Sequence, residues 1–242
     1  MIERTEAVIL KTQNWSETSR IISAFTRHFG RMKFVAKGAR KPRSKFGAAL
    51  QPGVIVQLIF YRSRHSEMHT VSEADLIWDS TPLAEGGLMP LASVALELGH
   101  NVTALESPNL AFYRNLSEML MSLPGGEPAG LRLLEFYLSG LNNLGYGLKL
   151  NACAQCRREL PSGTLVFSVA QGGFLCSRCR APEGEWLPLK PCHSSALFRW
   201  HSEGRLGDLP EGEVKPVLEL LSCFVNHHIS GRTKLKCFKY LE

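Results

Sequence analysis

The 242-residue sequence lacks any apolar run approaching the ~18 residues of a membrane-spanning helix, which excludes a membrane-spanning protein. It also lacks the apolar core of a secretory signal, because Glu3, Arg4 and Glu6 interrupt its opening residues. Seven cysteines is an odd number, and four of them form two close pairs. This pattern favours a reducing compartment and a bound metal over a disulfide framework. We therefore expect a cytoplasmic protein of one or two domains with a buried core.

The sequence has none of the short motifs that mark nucleotide hydrolysis or the common hydrolases. It contains no G-x-x-x-x-G-K-[ST], no G-x-G-x-x-G after a strand, no G-x-S-x-G and no H-E-x-x-H. Its basic N-terminal part holds only Glu3, Glu6 and Glu17 as acids, so a metal-dependent nuclease site there would lack ligands. We expect a protein that is not an enzyme and has no small-molecule substrate.

Acidic residues are scarce where the positive charge is concentrated. Residues 1–64 carry 13 Lys/Arg against 3 Asp/Glu, whereas the rest of the chain carries 15 against 19. Unpaired cations repel one another, and binding a polyanion relieves this repulsion. The densest stretch therefore predicts a nucleic-acid-binding surface, with a solvated loop that has no ligand as the alternative. It holds no acid and seven cations, namely Arg31, Lys33, Lys37, Arg40, Lys41, Arg43 and Lys45.

Five short segments in the first 80 residues are rich in β-branched and aromatic residues and are separated by turn residues such as Gln51-Pro52-Gly53. They predict strands at 7–10, 20–27, 31–38, 54–61 and 67–74. Five strands at this spacing favour an OB-type barrel, which is a common platform for single-stranded nucleic acid. The seven cations would then lie on the third strand and on the loop to the fourth.

From about residue 85 the apolar residues repeat at the three- and four-residue steps of helices. One predicted helix ends near Val102, a second opens at Ser107-Pro108, and a third runs from Pro128 to Gly145. Two more follow the cysteine-rich segment. The sequence thus predicts an α+β multidomain protein with four parts: a barrel at 1–80, a helical domain at 81–149 and 183–242, and a cysteine module inserted at 150–182.

The most specific pattern is Cys153-x-x-Cys156 followed by Cys176-x-x-Cys179. Two residues between thiolates let both sulfurs of a pair turn toward one point, and two such pairs complete a tetrahedron around Zn²⁺. Because four thiolates leave no open coordination position, we expect one structural zinc per chain. A redox dithiol, unliganded buried cysteines and an iron–sulfur cluster are the alternatives, although iron–sulfur frameworks more often place three cysteines close together. Cys192-His193 is a weaker substitute ligand pair.

Three elements near the N-terminus resemble the RecO family of bacterial recombination mediators, in the same order and with similar spacing. They are Trp15-Ser16-Glu17-Thr18-Ser19, the stretch from Gly30-Arg31 to Arg40, and Gly47 to Pro52. The four-cysteine segment is similar to the zinc module that many members carry, and the tail 231–241 is similar to the family's closing segment. The resemblance implies an N-terminal OB-fold and a helical domain with a zinc-binding insert.

The resemblance also implies a function. Family members bind single- and double-stranded DNA, anneal complementary strands, and act with RecR to help RecA replace single-strand-binding protein during repair. Such a protein would be cytoplasmic and nucleoid-associated. By position, the family's DNA-facing elements correspond to the seven cations from Arg31 to Lys45.

Two questions stay open at the level of sequence. Trp15 could stack on a base or could close the barrel. The same pattern of residues also suits a zinc-containing OB-fold module that binds RNA or serves as an interaction scaffold. A preference for RNA over DNA would favour the module, and partner binding that survives loss of the basic residues would favour the scaffold.

Overall fold

A computed structural model describes residues 1–126, 128–160, 165–180, 186–228 and 235. The chain forms two compact units, Met1–Glu127 and Pro128–Glu242. The predicted boundary at 80/81 lies inside the first unit, and the predicted four-part division stays a prediction. Apart from Leu235, the tail 231–241 lies outside the described residues.

Five strands of the first unit form a closed barrel: β1 (Ile2–Asn14), β2 (Arg20–Thr26), β3 (Gly30–Ala36), β4 (Ile55–Tyr61) and β5 (Met68–Trp78). Their order around the barrel is β1-β2-β3-β5-β4, and β1 closes the ring because it pairs with both β2 and β4. All neighbouring strands are antiparallel except β3 and β5, which pair in parallel between residues 33–35 and 68–70. The predicted five-stranded barrel is confirmed.

The alternation of apolar residues along the strands produces the barrel core. On β3, Met32, Phe34 and Ala36 are fully buried, while the residues between them are partly exposed. This is the period of two that places successive side chains on opposite faces of a strand. The cations of β3 therefore lie on the outer face of the barrel.

Three helices complete the first unit: α1 (Thr81–Glu85), α2 (Met89–Val102) and α3 (Leu110–Ser122). α2 packs on β1 and β2, and α3 packs on β1. The sequence predicts the start of α3 at Ser107-Pro108, whereas the helix begins after Asn109, whose side chain accepts a hydrogen bond from the Phe112 N–H. Asparagine is a strong N-cap because its short side chain reaches this orphan donor.

The second unit contains α4 (Ala129–Asn143), α5 (Pro191–Glu203), α6 (Val214–His228) and a three-stranded sheet in the order β7-β6-β8. The strands are β6 (Val166–Ser168), β7 (Gly173–Leu175) and β8 (Trp186–Pro188). α4 packs against α6, and β6 and β7 form a hairpin between the two cysteine pairs. Among the described residues, no helix has the length and apolar character needed to cross a membrane.

Candidate nucleic-acid interface and metal centre

The seven predicted DNA-contacting cations lie on β3 and on the loop of residues 37–54 that follows it. Arg31 and Lys33 belong to β3 and are partly exposed. The other five lie on the loop, on its solvent side. We call these five the basic loop: Lys37, Arg40, Lys41, Arg43 and Lys45. The sequence predicts this placement on the third strand and the following loop, and contact with nucleic acid stays a prediction.

The loop of residues 37–54 is anchored in the barrel beyond the last of these cations. Phe46, Ala49 and Leu50 are buried and belong to the barrel core. The Thr12 hydroxyl of β1 also donates a 2.6 Å hydrogen bond to the Leu50 carbonyl. The cations therefore lie on a short arch that is fixed at one end by β3 and at the other by Phe46.

Arg40 joins this arch to the turn between β1 and β2. Its backbone N–H donates a 3.0 Å hydrogen bond to the Thr18 carbonyl, and its guanidinium donates to the Ser16 carbonyl. The turn is closed by its own hydrogen bonds, from the Trp15 N–H to the Ser19 carbonyl at 3.1 Å and from the Ser19 N–H to Ser16 Oγ at 3.2 Å. The basic loop and the turn that carries Trp15 therefore form one connected surface.

The two cations of β3 are engaged within the protein. The Arg31 Nε donates a 2.9 Å hydrogen bond to the Thr103 carbonyl, and desolvation lowers the pKa of Arg31. The Lys33 ammonium lies 3.1 Å from a Glu67 carboxylate oxygen. These two side chains have partners already, so they are weaker candidates for phosphate contact than the loop cations.

The cations of the basic loop other than Arg40 differ from Arg31 and Lys33, whose side chains are engaged within the protein. Within the part of the chain that the structure describes, Lys37, Lys41, Arg43 and Lys45 form no ion pair. The Lys45 ammonium lies 5.4 Å from the centroid of the Phe46 ring, a cation–π contact that leaves its charge uncompensated by an acid. Their charge is available to a polyanion.

His100 is a feature of this region that sequence reasoning missed, since one histidine on an apolar helix gives no signal. Its Nδ1 lies 3.0 Å from the Ser23 hydroxyl of β2. Burial first, and then the charges of Arg31, Lys11 and Lys33, lower its pKa to about 4. His100 is therefore neutral at physiological pH and adds no charge of its own beside β2.

The four cysteines of the second unit converge on one point. The sulfur atoms of Cys153, Cys156, Cys176 and Cys179 all lie within 4.8 Å of one another. The Cys156 and Cys176 sulfurs are 3.8 Å apart. A Zn–S distance of about 2.3 Å gives a tetrahedral edge of about 3.8 Å, so the described sulfurs fit a tetrahedral metal.

Local backbone hydrogen bonds shape both cysteine turns. In the first turn the Arg157 N–H donates to the Cys153 carbonyl at 2.9 Å, and in the second the Cys179 N–H donates to the Cys176 carbonyl at 3.0 Å. The Ala154 N–H donates to the Phe174 carbonyl of β7 at 2.8 Å, which holds the first turn beside the strand that leads into Cys176. The hairpin thus brings the two pairs together.

The electrostatics of the cluster also suit a cation. Burial disfavours the Cys153 thiolate, but N–H groups directed at its sulfur, including that of Cys176 at 3.4 Å, lower the pKa of Cys153 to about 6. Desolvation and hydrogen bonds to the other cysteines raise the pKa of Cys179 to about 12. The negative charge of one thiolate therefore disfavours ionisation of the neighbouring thiols, and a bound dication would compensate that charge.

Cys192 and His193 do not join the four-cysteine cluster. They lie near Glu213, with the His193 Nε2 2.8 Å from one Glu213 carboxylate oxygen. The Lys190 ammonium lies 2.6 Å from the other oxygen. Ion pairing between the start of α5 and the residues just before α6 accounts for this group, so nothing in it requires a metal.

The comparisons with known proteins connect both sites to one family. Residues 1–78 match the family described as Recombination protein O N terminal, and residues 89–236 match the one described as Recombination protein O C terminal. The chain belongs to the RecO family. The first match covers the barrel and the basic loop, and the second covers the helices from α2 onward and the cysteine cluster.

The sequence of this chain is similar to those of individual RecO proteins over most of its length. It is 38% identical over 187 residues to the DNA repair protein RecO of Frankia casuarinae, covering 76% of this chain and 75% of that protein. It is 27% identical over 228 residues to the DNA repair protein RecO of Bacillus subtilis, covering 91% and 88%. The protein of that name from Moorella thermoacetica is 28% identical over 245 residues, covering 97% and 89%.

Proposed function

We propose that this protein is a non-enzymatic recombination mediator of DNA repair. It binds single- and double-stranded DNA, anneals complementary strands and acts with RecR to promote RecA loading onto DNA coated with single-strand-binding protein. The observation that carries the proposal is the basic loop, which is held on a closed barrel in a chain of the RecO family. Four of its five cations form no ion pair with any residue that the structure describes. The protein would act in the bacterial cytoplasm, on the nucleoid.

The physical step needs no chemical catalysis. Two DNA backbones repel each other, and a surface that neutralises phosphates on both strands lowers that repulsion by releasing condensed counterions. Base pairing then supplies the free energy of annealing. No covalent bond is made or broken, which agrees with a sequence that has no nucleotide-hydrolysis motif.

The four-cysteine cluster supports this function structurally. We assign it one Zn²⁺ per chain, bound by Cys153, Cys156, Cys176 and Cys179. Because four thiolates fill the tetrahedral coordination of zinc, no position is left for a substrate or a reactive water. The metal would hold together a hairpin whose strands have only three residues each.

Annealing tests the proposal directly. Complementary oligonucleotides are coated with single-strand-binding protein from a related bacterium, and duplex formation is followed without nucleotide. The purified protein is expected to accelerate annealing at low salt, and the acceleration is expected to fade as salt rises because phosphate contacts dominate.

A matched pair of variants makes the annealing test specific. Replacing Lys37, Lys41, Arg43 and Lys45 together with alanine is expected to remove most of the acceleration. Lys215→Ala removes an exposed cation of α6 and should leave it unchanged. Annealing that survives the fourfold change, or a strong preference for RNA over DNA of equal length, would contradict the proposal.

A further inference from the structure

Trp15 is a large aromatic side chain that the barrel does not use. It lies in the turn between β1 and β2, and 65% of its surface is exposed. The barrel core is filled by other side chains, among them Phe34, Phe46 and Phe60. Of the two roles open from the sequence, closing the barrel is therefore excluded.

The turn does not need the indole for its own stability. Backbone and serine hydrogen bonds close it between Trp15 and Ser19. Among the described residues, no ring contact, cation–π contact or hydrogen bond of the indole is found. The indole therefore stays largely exposed to solvent, although burying aromatic surface is strongly favourable.

Two independent observations place the turn that carries this indole beside the basic loop. The strand register pairs Arg20, the first residue of β2, with Ala36, the last residue of β3, so the turn and the loop leave the barrel at the same end. Arg40 then fastens the loop to the turn through the carbonyls of Ser16 and Thr18. The turn that carries the exposed indole thus lies next to a set of cations that can hold a phosphate backbone.

We propose that Trp15 stacks on an unpaired base of DNA held by the basic loop, so that a single strand gains a contact that a duplex cannot make. The inference rests on the proposed function. Phosphates are present on every kind of DNA, so the basic loop alone provides no base contact that would favour a single strand over a duplex. A base in a duplex is stacked on its neighbours, whereas a base in a single strand has a free face for an aromatic side chain.

The experiment compares three DNA probes of equal length at one salt concentration: an oligothymidylate, a DNA duplex and an abasic deoxyribose-phosphate strand. Trp15→Ala is expected to weaken oligothymidylate binding by about 5- to 100-fold, which is the range for loss of one stacked base. Its affinity for the duplex and for the abasic strand should stay within about twofold of the wild-type protein, because phosphate contacts are unchanged. Trp15→Phe keeps an aromatic face and should restore most of the oligothymidylate affinity.

Two controls keep the test independent of folding. Tyr61→Ala removes another exposed aromatic side chain, from the end of β4, and is expected to change none of the three affinities. In the wild-type protein, oligothymidylate should quench the part of the tryptophan fluorescence that Trp15→Phe removes, whereas the abasic strand should not.

The outcomes separate this inference from the function on which it rests. Equal losses on all three probes, or no loss on oligothymidylate, would overturn the stacking role while salt-sensitive DNA binding remains. No binding of the wild-type protein to any of the probes would overturn both.

Discussion

Cys176→Ser is expected to abolish stoichiometric zinc binding and to unfold the segment around the four-cysteine cluster. Cys176 is buried, and its sulfur lies 3.8 Å from that of Cys156. Structural zinc sites contribute about 10–16 kcal/mol of binding free energy, which appears as folding free energy because the site does not exist in the unfolded chain. Metal analysis of protein purified without added metal should give one equivalent for the wild-type protein and less than half for the variant.

Cys223→Ser is the matched control for this experiment. Cys223 is an exposed cysteine on α6, outside the cluster, so its replacement should leave the zinc content and the melting temperature unchanged. Chelation of the wild-type protein should reproduce the Cys176→Ser effect in circular dichroism. Less than half an equivalent of zinc in the wild-type protein, with four freely reactive thiols in the cluster, would contradict the assignment.

Phe46→Ala is expected to lower the free energy of unfolding of the barrel by about 3–5 kcal/mol, the usual cost of truncating a buried phenylalanine. Phe46 is only 4% exposed and anchors the end of the arch that carries the cations. Without this anchor the arch loses its second fixed point, so amide hydrogen exchange should accelerate across residues 37–53. Urea denaturation and hydrogen exchange measure the two effects.

Phe46→Leu separates the loss of the anchor from the loss of the ring. Leucine keeps an apolar side chain at the site, so this variant is expected to lose less than about 2 kcal/mol and to retain slow exchange in the loop. Rapid exchange of residues 37–53 in the wild-type protein, equal to that of Phe46→Ala, would show that the loop is not anchored.

The architecture was largely predictable because each element has a strong local signal. The β-branched and aromatic residues of β3 and β4 predict strands, and the two cysteine pairs predict a cluster, since two-residue spacing lets thiolates meet at one point. The start of α3 was misplaced because Ser107-Pro108 and Asn109 are all acceptable at a helix start. Only the hydrogen bond to Phe112 distinguishes them.

The partners of individual charges were not predictable from the sequence. The sequence does not distinguish Arg31 from Arg43, since both are arginines of the same basic stretch. In the fold, however, the Arg31 Nε donates a hydrogen bond to the carbonyl of Thr103, which is 72 residues away. Lys33 likewise pairs with Glu67, beside the parallel contact between β3 and β5. Such contacts depend on the closed barrel, and a linear count of charge contains no information about them.

The salt dependence of DNA affinity tests the central claim most directly. Affinity for an oligothymidylate is measured at several salt concentrations for the wild-type protein, for the fourfold alanine variant of Lys37, Lys41, Arg43 and Lys45, and for Lys33→Ala. Each phosphate contact contributes about −0.7 to the slope of log affinity against log salt for single strands, so the fourfold variant should have a slope shallower by about 3. Lys33→Ala, whose ammonium is paired with Glu67, should change the slope little. An unchanged slope in the fourfold variant would contradict the account.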